Sequence, residues 1–219
     1  FSDSEINQNI ILLQSMFAVT FTANRDSRWL YEILQFLFNH IEELNQTEFA
    51  SLFKDFLEKM AVRYAEERLF TEDKSIKKYG AIPVYAFNFV DYVLWKNREE
   101  LKKDYDIEFK DFKFAYRRSV EHWYPQNPNG HDGESQLPAE FLHSFGNLCI
   151  ITDSQNSRFG NSYPEAKLEQ WEREGIFHRQ SLKLQMMANI TSKKNRWDIG
   201  EIQSMEKEVE RYVQNFCNS

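Results

Sequence analysis

Apolar residues recur every three or four positions through the first hundred residues of this chain, and then the spacing changes. That change constrains the fold more than any other feature, because a helical period and a strand period bury different faces. Ile6, Ile10, Leu13 and Phe17 mark a first helix over residues 4–20. Asp26 or Ser27 is placed to cap a second helix, with an expected buried stripe of Trp29, Leu30, Ile33, Leu34, Leu37, Ile41 and Leu44. Asn45 to Glu48 reads as a capping box before a third helix burying Phe49, Leu52, Phe53, Phe56, Leu57, Met60 and Tyr64. Thr71 to Lys78 is a polar loop, and Pro83 suits the first turn of a fourth helix carrying Val84, Phe87, Val90, Val93 and Leu94. His40 reads as structural or exposed. Residues 1–105 contain no phosphate-binding lysine loop and no dinucleotide fingerprint. They are expected to form a helical bundle serving as a spacer, a dimerisation surface or a DNA-positioning arm.

After Lys102 the period drops to two. Phe112, Phe114 and Tyr116 alternate with Lys113, Ala115 and Arg117, and Val120 and His122 keep that parity, so a strand or a strand entry is expected here. Pro125 and the polar stretch 127–140 end it in a loop. Leu148 to Thr152, after Gly146, reads as a second strand. Asp153 or Ser154 then caps a short helix across Asn156 and Arg158. Ser162 to Glu165, with Pro164, signals another helix start, and residues 182–190 and 199–216 read as closing helices.

The chemistry collects between Ser119 and Lys167. Glu121 is a hard anionic oxygen donor, His122 a neutral base, Asn147, Asn156 and Asn161 are amides, and Lys167 is a cation. A one-metal phosphodiesterase needs such a set: an acidic ligand, an imidazole to deprotonate water, and polar groups to orient both. Each residue also has a plain reading: a core or surface histidine, a surface carboxylate, a turn asparagine, a solvated helix face. His131, His143 and His178 with Asp132 offer a different metal set, but their spacing fits no zinc pattern.

Glu-His-Trp-Tyr-Pro-Gln at 121–126, Gly-Asn-Leu at 146–148 and Asn-Ser-Arg-Phe-Gly-Asn-Ser-Tyr-Pro-Glu-Ala-Lys at 156–167 resemble, in that order, the HNH (His-Me finger, ββα-metal) nucleases. They are most similar to the C-terminal nuclease domain of GmrSD-type modification-dependent restriction enzymes. Trp123 stands where an aliphatic residue is usual, and a polar loop precedes Gly146. The resemblance implies a small ββα-metal finger in a nuclease domain over 106–219, which joins the helical bundle read over 1–105 into a mainly α chain. It makes His122 the general base and Asn147 the residue that fixes His122 through its backbone or ring. It makes Glu121 and Asn156 ligands of Mg²⁺ or Mn²⁺, and it sets Arg158, Lys167 and Asn161 near the substrate, Asn161 more readily as a turn residue. The implied substrate is DNA. The implied context is restriction or antiphage defence, with an upstream sensor or nucleotide-hydrolysing half and a possible homo-oligomer. The rival is a non-catalytic helical interaction module on a degenerate nuclease fold.

Composition bounds these readings. The chain has 219 residues, enough for one or two domains, and starts at Phe1 rather than Met, which reads as a fragment or processed product. No apolar run reaches the ~20 residues of a membrane span, and no signal peptide is legible. Two cysteines, Cys149 and Cys217, form no disulfide framework, so a reduced, cytoplasmic compartment is expected. The net charge of −7 argues against a general nucleic-acid binder, but the acidity sits mostly in the first half. Lys110, Lys113, Arg117, Arg118, Arg158, Lys167, Arg173, Arg179, Lys183, Lys193, Lys194 and Arg196 are available for a basic face near the motif.

Overall fold

The computed structural model describes residues 4–23, 26–73, 75–109, 112–128, 137–174 and 180–219. It is mainly helical with one small antiparallel sheet. In chain order the elements are α1 (Ser4–Thr20), α2 (Arg28–Asn39), α3 (Phe49–Arg68), α4 (Val84–Lys96), α5 (Arg98–Tyr105), β1 (Ser119–His122), α6 (Ala139–Leu142), a 3₁₀ turn (Phe145–Asn147), β2 (Leu148–Ile151), α7 (Asp153–Phe159), α8 (Pro164–Glu174), α9 (Leu182–Lys194) and α10 (Ile199–Cys217).

The centre of the molecule is α4. Every residue from Tyr85 to Trp95 is buried, the mark of a helix packed on all sides rather than along one stripe. Helices α1 and α3 cover it on one side, and α9, α10 and β2 on the other. Three of its polar side chains donate within the core, while Asn88 Oδ1 and Asp91 Oδ2 have no hydrogen-bond partner among the described residues. The Tyr85 hydroxyl donates to the Ala61 carbonyl at 2.7 Å, Tyr92 to Glu58 at 2.7 Å, and the Asn88 amide to Thr20 at 2.8 Å. One apolar cluster therefore runs from Ile10 to Val213. Helix α4 thus packs against elements on both sides of residue 105.

Three local expectations are corrected. The stripe assigned to α2 is largely outside: Ile33 is buried, but Leu30, Leu34 and Ile41 are exposed. Apolar residues surround more of this helix than its single contact face, formed by Trp29, Ile33, Phe36 and Leu37, can cover. Asn45 does not cap α3. The cap position is Glu48, with no side-chain cap bond. Residues 112–118 are irregular, and the strand is confined to β1. There the alternation inverts, with Tyr116 half exposed and Arg117 buried. Helix α5, with Glu99 and Glu100 in its first turn and Lys102 and Lys103 in its last, has no counterpart among the expected elements.

β1 and β2 pair with Ser119 opposite Ile151, Val120 opposite Ile150, Glu121 opposite Cys149 and His122 opposite Leu148. α7 comes directly after β2. Its capping box is Thr152 with Gln155, one residue earlier than expected. Asp153 ties α7 back to the start of β1 by accepting from Ser119 at 2.6 Å and from Arg118 at 2.8 Å. Gly146 lets the 3₁₀ turn lie against α10: a Cβ there would come within 2.1 Å of the Ile202 carbonyl oxygen. No helix among the described residues is long and apolar enough to cross a membrane.

Candidate active site

Strand β1 ends at His122, and the residues just beyond it are held by a buried amide and a buried ammonium. Asn147 is fully buried and uses all four of its hydrogen-bonding positions. Its amide nitrogen donates to the carbonyls of Tyr124 and Leu142, both at 3.0 Å. Its Oδ1 accepts from the Tyr124 N–H at 2.8 Å and from the Trp197 indole at 3.1 Å. The Asn147 carbonyl accepts from Trp123 N–H at 2.8 Å. Asn147 thus brackets the backbone one and two residues beyond His122, and does not bond His122 itself as expected.

Lys167, carried on α8, is also fully buried. Its three ammonium protons have three acceptors: Glu121 Oε1 at 2.8 Å, the His122 carbonyl at 2.8 Å and the Trp123 carbonyl at 2.9 Å. The aromatic faces of Trp123 and Phe159 close over it. Burial pushes the Lys167 ammonium below its ordinary value, while Glu121 opposes that shift. The expectation that Lys167 offers its charge to a phosphate is corrected: every donor is spent inside the fold, as a buried cation requires. Glu121 is bound through Oε1 only. Oε2 has no hydrogen bond among the described residues, and the side chain keeps 12% of its exposure.

His122 turns away from Lys167 toward a small aromatic box. Its Nε2 lies 3.1 Å from Nδ1 of His143 and 3.3 Å from the Gln126 amide nitrogen. Tyr79 meets the His122 ring edge-on at 4.4 Å and stacks on His143 at 5.5 Å. The Tyr79 N–H donates to the His143 carbonyl at 3.0 Å. Burial first, then His143 and Lys167, push the His122 pKa down to about 4. The ring is therefore neutral throughout the physiological range. Tyr79 lies in the N-terminal half, which thus supplies a neighbour of His122. Sequence reasoning missed Tyr79, His143 and Gln126 as neighbours of His122. Only Gln126 carried a signal, as part of the motif. His143 counted only toward the alternative metal set, whose other members, His131, His178 and Asp132, lie outside the described residues.

The other candidates are on the surface. Asn156 and Arg158 are exposed on α7, and the Asn156 side chain makes no hydrogen bond among the described residues. Asn161 is exposed in the turn between α7 and α8, after Gly160 with its positive φ of 49°. The expected basic face is thinner than its sequence suggested. Arg117, Lys167 and Lys183 are buried, Arg118 is paired with Asp153 and Lys194 with Glu201, and Lys110 and Arg179 lie outside the described residues. Lys113, Arg158, Arg173, Lys193 and Arg196 remain exposed.

A family model described as the C-terminal domain of GmrSD restriction endonucleases matches residues 66–209. The chain belongs to this family. The match starts within α3 and ends within α10, so it takes in Tyr79 along with β1, β2, α7 and α8 and crosses residue 105. No curated protein and no solved structure matches the chain. The membership gives it a nuclease context, and the neutral imidazole at the end of β1 is the chemical group best suited to that context.

Proposed function

We propose that this chain is an HNH-type endonuclease domain that hydrolyses DNA phosphodiester bonds with a divalent cation. The observation that carries the reading is His122: a neutral imidazole ending the first strand of a two-stranded sheet, with its flanking backbone fixed by Lys167 and Asn147. The order strand, loop, strand, helix supports it. His122 takes the proton of a water that attacks phosphorus, and Asn147 and Lys167 keep the strand end from shifting under it.

The donors available fit a hard cation. Glu121 keeps one carboxylate oxygen outside its ion pair, and the Asn156 amide is exposed on α7. Among the described residues no three of His, Cys, Asp and Glu gather as a metal cluster. The set therefore suits Mg²⁺ or Mn²⁺, which take one or two protein oxygens and keep their waters, better than zinc. Such a cation, when bound, supplies charge neutralisation at the phosphate oxygens. Arg158, with Asn161 nearby in the chain, is the exposed candidate for contacts to the DNA backbone. The proposed setting is a cytoplasmic restriction or antiphage protein, working with a sensor or nucleotide-hydrolysing part and as an oligomer where activation demands it.

The rival reading, a non-catalytic module on the same fold, draws on the 5% exposure of His122. Supercoiled plasmid separates the two. Nicking that depends on Mg²⁺ or Mn²⁺ and stops with a chelator, without loss of helical signal, supports the nuclease. Melting on chelation contradicts the ligand set, and no cutting with either metal favours the module.

A further inference from the structure

The two nitrogens of His122 have different surroundings. Nε2 faces His143 Nδ1 and the Gln126 amide, whereas Nδ1 has no hydrogen-bond partner among the described residues. A neutral imidazole has one proton and one lone pair, on opposite nitrogens. A base needs its lone pair open. Nε2 is engaged by His143 and Gln126, so Nδ1, which no described residue engages, must carry the lone pair and Nε2 the proton.

We propose that His143 is a positioning residue that fixes this tautomer: its Nδ1 accepts the Nε2–H of His122 and leaves His122 Nδ1 free to receive a proton from water. This rests on the reading of His122 as the base. The neighbours are then constrained as well. His143 must carry its own proton on Nε2, and the Gln126 amide, whose nitrogen is placed 3.3 Å from His122 Nε2, must be reversed so that its carbonyl accepts there. His143 is well placed for the task. Its ring is stacked on Tyr79 and its carbonyl accepts the Tyr79 N–H, so ring and backbone are both held by the segment just before α4. The hydrogen bond at one imidazole nitrogen decides the role of the other.

The test is ¹⁵N NMR of the imidazole nitrogens in the full chain at neutral pH, beside plasmid nicking with Mg²⁺. The expected result is the Nε2–H tautomer at both His122 and His143. His143→Ala should turn the His122 signals into a tautomer mixture and slow nicking by about ten- to a hundredfold. His143→Asn, whose Oδ1 sits near the place of the lost Nδ1, should restore both. A wild-type His122 protonated on Nδ1 overturns the proposal, as does a tautomer that His143→Ala leaves unchanged. Because the tautomer is read without turnover, a chain that fails to cut DNA contradicts the nuclease reading alone.

Discussion

Helix α2 and the β1–β2 sheet break the usual rule of burial in opposite directions. On and beside α2 large apolar side chains stand in solvent: Phe38 keeps 75% of its exposure, Tyr31 64% and Leu34 57%. At the sheet charged and polar groups are sealed inside: Lys167 and Asn147 at 0%, Lys183 at 1%. The apolar residues of α2 lie outside because one contact face cannot cover a helix that is apolar around most of its girth. The polar groups at the sheet lie inside because each has acceptors waiting. Lys167 takes the carbonyls of His122 and Trp123 at the end of β1, and Lys183 takes the Leu148 carbonyl at the start of β2. These two lysines hold the same rung of the sheet, where His122 faces Leu148. Exposure on α2 costs little, whereas the sheet would be costly to leave with any one partner lost.

The largest effect should come from splitting the buried ion pair. Lys167→Met leaves the Glu121 carboxylate and two carbonyls without their donor, and should lower unfolding free energy by about 3–5 kcal/mol in urea melts. Glu121→Met added to Lys167→Met should recover much of that loss, since no buried charge then lacks its partner. A single variant as stable as the wild type would show that the sheet does not depend on the pair.

The next effect is a slope in pH. Asp91, buried on α4, accepts from the Lys183 N–H at 3.0 Å, and burial pushes its pKa up to about 7. The folded chain therefore holds this proton more tightly than the unfolded chain, whose carboxyl titrates near the ordinary value of 3.8. The stability Asp91 contributes is fully present below pH 4 and is lost as pH rises through 7. The loss is at most ~1.4 kcal/mol per pH unit. Asp91→Asn removes that slope, so thermal melts from pH 4 to 8 should show the variant gaining on the wild type as pH rises. Parallel curves would contradict the assignment.

The smallest effect belongs to α2. Phe38→Ser should change stability by less than about 0.5 kcal/mol, against about 2–5 kcal/mol for Leu57→Ala in the core of α3. A large loss from Phe38→Ser would mean that the α2 face is covered in solution.

The same division separates the legible parts of the sequence from the rest. The long helices α1, α3, α4, α9 and α10 were legible because their apolar spacing matches a helical period. The outward face of α2 was not, because periodicity reports that a face exists and not whether anything lies against it. The strand ends and α7 were legible from the Glu-His, Gly-Asn and Asn-Ser-Arg pieces. The burial of Lys167 and Lys183 was not, since a lysine among other charges looks the same inside or out. Tyr79 and His143 were missed because their relation to His122 exists only once a loop before α4 is folded against the loop between β1 and β2.

The proposed nuclease activity turns on His122 as its base. Metal-dependent nicking of supercoiled plasmid by wild type and His122→Ala, with the melting temperature of each measured in the same buffer, tests this most directly. The variant should lose about a hundredfold or more of the rate while keeping its helical signal and a cooperative melt. Nicking by the variant at the wild-type rate would contradict the assignment of His122 as the base.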